Sequence, residues 1–191
     1  MTGVQGADSI LQGKPVVENP ALTNSENWSV QPQNFVLYAV KYVNPWHGQY
    51  LRRGIDNATI DGTSKVIVRH EQFVEKDEAV DISTESMKDN LLTLKTKDAA
   101  GNDISYTIRM SFTEDGVCTL SSGSQNAVVS GNGKFVSKGE KNSLGGKDRN
   151  AIYLDYTVNL TENNIQLATK DTLVLRTRNV QGGKAFEVIR K

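Results

Sequence analysis

The chain has 191 residues, of which 37% are apolar and 23% charged, and its 22 basic and 22 acidic residues give a formal net charge of zero. This length and composition suit one all-β domain with a sizeable core, alone or with an appended segment. A net charge of zero predicts no long-range attraction to nucleic acid or anionic lipid. The single cysteine, Cys118, excludes an internal disulfide and a zinc site built from CxxC pairs.

The first 34 residues differ in composition from the rest of the chain. They are rich in Gly, Pro, Asn and Ser without a sustained period, which is typical of a loop or a weakly structured arm. We expect residues 1–34 to be an irregular arm, or the remnant of a preceding domain with a linker, and residues 35–191 to form the folded domain. The first eight residues lack the basic and apolar regions of a signal peptide. The protein is therefore expected to be cytosolic, or to have its export signal further upstream.

The remaining chain shows the period of β-strands. The predicted strands, in chain order, span residues 35–43, 49–57, 65–74, 79–84, 91–96, 104–112, 117–121, 127–130, 134–137, 150–160, 166–176 and 184–189. Residues 35–43 are apolar on both faces, which predicts a central strand covered on two sides. Turn residues separate the strands, and Glu-Asp-Gly at 114–116 is the sharpest hairpin signal.

Residues 150–160 carry the clearest strand signal. Their apolar members alternate strictly with polar residues: Ile152, Leu154, Tyr156, Val158 and Leu160. Successive side chains of a strand point to opposite faces, so this stretch is predicted to be half buried. Residues 104–112 alternate in the same way, and no stretch of comparable clarity has a helical period.

Many short strands with turns between them predict an all-β sandwich or barrel. Hairpins at nearly every junction favour an antiparallel up-and-down meander. Closing a meander removes its exposed edges, which suits a chain with no edge-protecting proline after Pro45. We therefore expect a closed antiparallel barrel, and a barrel of about eight strands can hold one small ligand.

The sequence offers little for catalysis or metal binding. It contains only two histidines and one cysteine, and no HExxH, nucleophile-elbow or P-loop pattern. Gly-Asn-Gly-Lys at 131–134 resembles a phosphate-binding loop, but no helix follows it, so we predict a hairpin turn there. We predict a protein that is not an enzyme and uses neither a cofactor nor a metal.

The candidate ligand-binding site is the turn that follows Pro45. Trp46, His47, Tyr50 and Arg52 combine flat aromatic faces, on which a sugar ring can stack, with groups that form directional hydrogen bonds. In the alternative interpretation Trp46 closes the end of the barrel and the arginine is solvated or paired with an acid, since aromatic anchors near turns commonly serve packing. Both interpretations stay open on the sequence alone.

Three stretches carry a family resemblance. They are FVLYAVKYVNPWHGQYLRRG at residues 35–54, GNGKFV at 131–136 leading to NAIYLDY at 150–156, and KDTLVLRTR at 170–178. Together they resemble the C-terminal barrel domain of uncharacterised surface lipoproteins from Bacteroidetes gut bacteria. In those proteins the domain typically follows an immunoglobulin-like domain. The resemblance covers roughly residues 35–180.

The resemblance implies a lipocalin-like barrel that is exported and anchored by lipid through an N-terminal cysteine, which the given chain lacks. It also implies a position at the cell surface or in the periplasm, beside the porin-like transporters and glycosidases of glycan uptake. We therefore expect a non-catalytic module that binds a glycan, with other outer-membrane uptake components as partners and no nucleic acid. The alternatives are a barrel that encloses a small apolar ligand or lipid, which a packed interior would exclude, and a structural or adhesive spacer.

Overall fold

A computed structural model describes residues 13–32 and 42–178, which belong to two compact units divided between residues 41 and 42. In the first unit the short strands β1 (Lys14–Pro15) and β2 (Trp28–Val30) pair antiparallel, and a 3-10 turn at Ser25–Asn27 precedes β2. The Trp28 Nε1 group donates to the carbonyl of Ala21 at 2.9 Å. This arm is irregular, as predicted.

The second unit, over residues 42–178, contains one sheet of nine antiparallel strands. They are β3 (Gly48–Ile60), β4 (Thr63–Arg69), β5 (Glu78–Thr84), β6 (Asp89–Lys97), β7 (Asp103–Phe112), β8 (Val117–Ser122), β9 (Val128–Glu140), β10 (Arg149–Leu160) and β11 (Ile165–Thr177). Short 3-10 turns occur at Val74–Lys76, Leu144–Gly146 and Thr161–Asn163. No helix among the described residues is long and apolar enough to cross a membrane.

Pairing of β11 with β3 closes the sheet, and all of its strands except β4 take part in the resulting barrel. The other neighbours along the barrel are consecutive in the chain, except that β5 follows β3 there because β4 lies outside the barrel, so this is a meander with one extra strand. The predicted all-β class and closed antiparallel barrel are confirmed. The strand predicted at 184–189 and nearly all of the strand predicted at 35–43 lie outside the described residues.

The hairpin turn predicted at residues 131–133 is wrong. Gly131 and Gly133 lie within the continuous strand β9, opposite Tyr156 and Leu154 of β10. A Cβ atom at Gly131 would come within 2.5 Å of the Tyr156 Cβ atom. These glycines therefore allow a close approach of two strands, which composition alone does not distinguish from a turn.

The barrel interior is filled by the inward-facing side chains. Several of these side chains expose no surface at all: Tyr50, Leu92, Ile108, Met110, Ile152, Leu160, Ile165 and Leu173. A side chain that lined a cavity wide enough for a ligand would expose surface to it. The described interior therefore leaves no room for an enclosed apolar ligand beside these residues, and each buried side chain contributes about 1.5–3 kcal/mol to stability.

Strand β3 has two successive partners along one of its edges. Its first residues, Gly48–Arg52, pair with β5, and its later residues, Gly54–Ile60, pair with β4. Arg53 lies between the two pairings. The loop of residues 70–77 joins β4 to β5 across this junction, so the sheet is interrupted at the middle of β3.

Candidate functional site

A depression of about 290 Å³ opens to solvent at the junction of β3, β4 and β5. Its lining is mostly charged and includes Arg52, Arg69, His70, Lys76, Asp77 and Glu78. Ligand pockets in proteins usually measure about 300–1,000 Å³, so this one suits a single small chemical group. A second depression of about 330 Å³ shares His70 with the first and also contacts Ile55 and Thr172.

Four buried or nearly buried charged residues lie beneath the first depression, and we call them the charged cluster: Arg52, Asp56, Arg69 and Asp171. Arg52 Nε donates to Asp171 Oδ2 at 2.8 Å, and Arg69 Nη2 donates to Asp171 Oδ1 at 2.5 Å. Arg69 Nη1 donates to Asp56 Oδ2. Two guanidinium groups and two carboxylates cancel in charge, which makes their burial tolerable.

Hydroxyl groups complete the charged cluster. The Tyr156 hydroxyl donates to Asp171 Oδ2 at 2.8 Å and lies 3.3 Å from Arg52 Nη2, and Thr169 Oγ1 donates to Asp56 Oδ1 at 2.6 Å. Burial raises the pKa of Tyr156 well above its ordinary value, so its hydroxyl stays protonated and donates. Burial alone would lower the pKa of Arg52, but the Tyr156 and Asp171 oxygens outweigh it and raise that pKa. The guanidinium therefore stays charged.

Gly54 makes the charged cluster possible. It occupies the inward-facing position of β3 between Arg52 and Asp56, and it lies opposite Asp171 in the pairing of β3 with β11. A Cβ atom at Gly54 would collide with Asp171 Oδ1 and with the carbonyl oxygen of Lys170. The missing side chain therefore leaves the space in which the Asp171 carboxylate meets both guanidinium groups.

The two arginines retain unused hydrogen-bond donors within the described part of the chain. A guanidinium group carries five N–H donors, and Arg52 makes three hydrogen bonds, the third from Nη1 to Glu78 Oε2 at 3.3 Å. Among the described residues, Arg69 Nε is buried without a hydrogen-bond partner. The charged cluster thus keeps a buried, unfilled donor on a residue that also lines the depression.

The rim of the depression is held by its own contacts. Arg53 Nε donates to Asp77 Oδ2 at 2.6 Å, and the backbone N–H of Glu71 donates to Asp77 Oδ1 at 2.8 Å. The backbone N–H of Gly145 donates to Glu75 Oε1 at 3.2 Å, which connects the loop between β9 and β10 to this rim. Asp77 is therefore occupied in fixing the loop of residues 70–77.

The structure brings two of the four sequence-predicted site residues, Trp46 and Tyr50, into contact, and it does not gather all four at one opening. Trp46 is 8% exposed and stacks on Phe112 at 4.3 Å between ring centroids, and the buried Tyr50 hydroxyl donates to the Trp46 carbonyl at 2.9 Å. His47 Nδ1 accepts from the backbone N–H of Thr84 at 3.2 Å.

Of the four residues, Arg52 alone lines the depression. Trp46 and Tyr50 are packed in the interior, so their ring faces are not available to a sugar in this conformation. Arg52 is 2% exposed and paired with Asp171, and pairing with an acid is one of the two states that the alternative interpretation gave for the arginine.

Sequence reasoning missed the other members of the charged cluster. Asp56 and Asp171 occupy inward positions of β3 and β11. The signal was present in β11, where Thr169 and Asp171 fall on the same alternating face as Leu167 and Leu173. Polar residues on a buried face are rare unless they are paired. Among the described residues, no group of His, Cys, Asp or Glu side chains is arranged to hold a metal ion.

Fold and site together define the class of this protein as a closed β-barrel with a charged, solvent-open depression, which is compatible with a binding module. Residues 45–179 match the family described as domain of unknown function DUF5627, and the chain belongs to this family. Over its whole length the chain is 83% identical, with a TM-score of 0.85, to a Bacteroides ovatus protein of unknown function with a crystal structure at 2.40 Å resolution. The chain spans 61% of that protein. No curated protein matches it.

The Bacteroides neighbour supports the resemblance to Bacteroidetes proteins that the sequence suggested. The lipid anchor, the lipocalin-like character and the place at the cell surface stay predictions.

Proposed function

We propose that this domain is a non-catalytic binding module that recognises a glycan at the charged depression. The observation that carries the proposal is the solvent-open depression of about 290 Å³, whose lining includes the N–H donors of Arg52, Arg69 and Lys76. Sugar hydroxyl and ring oxygens are acceptors for such donors. The second depression shares His70 with the first, so a chain of two or more sugar units could contact both.

The packed interior and the polar lining both weigh against the other candidate functions. An enclosed apolar ligand or lipid needs an open apolar cavity, and side chains such as Ile108 and Met110 expose no surface to one. A passive spacer has no need for a charged cluster beside an opening, because buried ion pairs add little net stability. Glycan binding uses both the charges and their access to solvent.

The family resemblance adds the biological setting. Surface lipoproteins of Bacteroidetes accompany transporters and glycosidases of glycan uptake, so the proposal places the full-length protein at the outer-membrane surface or in the periplasm. Its protein partners would then be other components of the uptake system. Catalysis is assigned to those enzymes and not to this domain.

Binding of a glycan array by the wild type and by a His70→Ala/Lys76→Ala double variant tests the proposal. Both side chains line the depression and are exposed, so the variant should fold normally. We expect selective binding that weakens at least about fivefold in the double variant, as loss of roughly 1 kcal/mol of contacts implies. Lys95→Ala, at an exposed position of β6, is the matched control and should bind like the wild type.

Two results would contradict the proposal. If the folded wild-type protein binds no glycan on the array, glycan binding is excluded. If the double variant binds as tightly as the wild type, the depression is excluded as the binding site. Mass spectrometry of the bound glycans after incubation checks the non-catalytic role, since shortened products would show that the domain is an enzyme.

A further inference from the structure

We infer that the sugar unit seated against Arg52 carries a carboxylate, so that the ligand is an acidic glycan containing uronic acid. This inference rests on the proposed function and names the ligand class for the same depression. Its basis is the asymmetry of the two carboxylates that hold Arg52, one buried and fixed, the other partly exposed to solvent.

The inner carboxylate is fixed in place. Asp171 is 3% exposed and accepts hydrogen bonds from Arg52, Arg69 and Tyr156, so three donors determine its position. Releasing it would leave two guanidinium groups without their shared counter-ion. The inner side of Arg52 is therefore permanently occupied.

The outer carboxylate is replaceable. The Glu78 side chain is 47% exposed, and its one hydrogen bond to another described residue joins Oε2 to Arg52 Nη1 at 3.3 Å. Glu78 is the first residue of β5, at the rim of the depression. Its carboxylate marks a position beside Arg52 that an incoming carboxylate can take when the Glu78 side chain rotates into solvent.

The chemistry of Arg52 favours a carboxylate over a neutral group at this position. Movement of Glu78 into solvent leaves Arg52 Nη1 without its carboxylate partner. A ligand carboxylate replaces that partner, and the planar fork of a guanidinium group matches two carboxylate oxygens at once. A neutral hydroxyl group supplies neither the charge nor the second acceptor.

Two other acids, Asp77 and Glu71, line the depression. Asp77 is bonded to Arg53 and to the backbone N–H of Glu71, so its charge is compensated within the loop. The Glu71 side chain is exposed to solvent, and Lys76, which also lines the depression, adds a cation that balances its charge. The opening can therefore admit a carboxylate.

Calorimetric titration with acidic oligosaccharides and their carboxyl-reduced, neutral counterparts tests the inference. The probes are oligogalacturonate, oligoalginate and chondroitin oligosaccharides, each paired with its reduced form. We expect at least one acidic member to bind about tenfold more tightly than its neutral counterpart. Glu78→Gln should raise the affinity for that acidic member up to about fivefold, because the competing internal carboxylate loses its charge.

Glu85→Gln is the matched control. Glu85 forms another partly exposed pair with an arginine, 2.7 Å from Arg109 Nε, and it does not line the depression. It should leave every affinity unchanged, and circular dichroism should show that both glutamine variants fold.

The possible outcomes separate this inference from the proposed function. Equal binding of acidic and neutral members, or acidic binding that is unaffected by Glu78→Gln, would overturn the carboxylate inference and leave glycan binding standing. Failure of both acidic and neutral glycans to bind would overturn the two together.

Discussion

Asp171 joins the two guanidinium groups of the charged cluster. Its replacement by asparagine tests whether water is excluded from the cluster and whether its charges depend on one another for compensation. The substitution keeps the size of the side chain and removes its charge. The carboxylate accepts from Arg52 Nε, from Arg69 Nη2 and from the Tyr156 hydroxyl. An asparagine keeps one acceptor oxygen and turns an NH₂ group toward at least one of these donors.

Breaking a buried ion pair by removing one partner costs about 3–5 kcal/mol, because the remaining charge is left uncompensated. Two features of this site place the expected loss of stability at the lower end of this range. Arg69 is 16% exposed, so water can solvate part of its charge, and it keeps its bond to Asp56. Arg52 keeps its bond to Glu78. We therefore expect Asp171→Asn to lower the free energy of unfolding by about 3 kcal/mol at pH 7.

Urea unfolding of the wild type and of Asp171→Asn measures this difference. Asp155→Asn is the matched control on the neighbouring strand, since it breaks the exposed pair with Lys170 at 3.4 Å and should cost less than about 0.5 kcal/mol. A loss below about 1 kcal/mol for Asp171→Asn, with an unchanged denaturant slope, would refute the reasoning. Water would then be compensating the charges, and the cluster would not be a preorganised unit.

Three further substitutions or reactions probe the barrel itself. Trp46→Ala should lower the free energy of unfolding by about 3–5 kcal/mol, because it removes the stack on Phe112, and urea unfolding that matched the wild type would contradict a packing role. Gly54→Ala should cost about 1–3 kcal/mol in the same assay, because its Cβ atom collides with Asp171, and an unchanged midpoint would contradict the close approach. Burial raises the pKa of Cys118 to about 12, so the folded thiol stays protonated at pH 8 and should react with a thiol reagent only when the protein unfolds. The folded state therefore holds the Cys118 thiol proton more tightly than the unfolded state does. The contribution of this thiol to stability is lost as the pH rises from about 8.5, the pKa of an unfolded cysteine, toward the pKa of the folded state. Fast labelling of Cys118 in the native protein would contradict its burial.

The fold could be predicted where one face of a strand is buried and the other is exposed to solvent. Residues 104–112 and 150–160 alternate strictly, and they form most of β7 and β10. The turn at 114–116 was also predicted correctly. Gly116 has a positive φ of 77° there, a conformation that favours glycine, so the glycine in the sequence indicates the turn. These features depend only on neighbours in the chain, so the sequence alone expresses them.

Strand β4 shows where the same reasoning loses information. Residues 65–74 were predicted as a strand, but β4 ends at Arg69, and its Val66 and Val68 side chains, which share one face, are exposed. Alternation defines two faces and does not say which of them is buried. Because β4 lies beyond the closed barrel, the usual rule that the apolar face points inward does not hold there.

The charged cluster could not be assembled from the sequence because its members meet only after the barrel closes. Arg52 and Asp171 are 119 residues apart, and Arg69 and Asp171 are 102 residues apart. No local spacing relates them. The pairing of β3 with β11 brings these positions together, and that pairing closes the barrel between a strand at the start of the meander and the last described one.

The location of the charged cluster is the strongest reason to connect it with recognition. Well-packed apolar residues of similar volume often stabilise a core as well as buried ion pairs do, or better, so stability alone does not account for this cluster of four charges. Elsewhere the described interior is mostly apolar, as at Ile108 and Leu160, and its buried polar residues Asn44 and Asn90 are uncharged. The charges occur where β3 changes partner from β5 to β4 and the sheet admits solvent. There Asp171 and Tyr156 already fix the Arg52 guanidinium, so the proposed ligand would not bear the cost of ordering it.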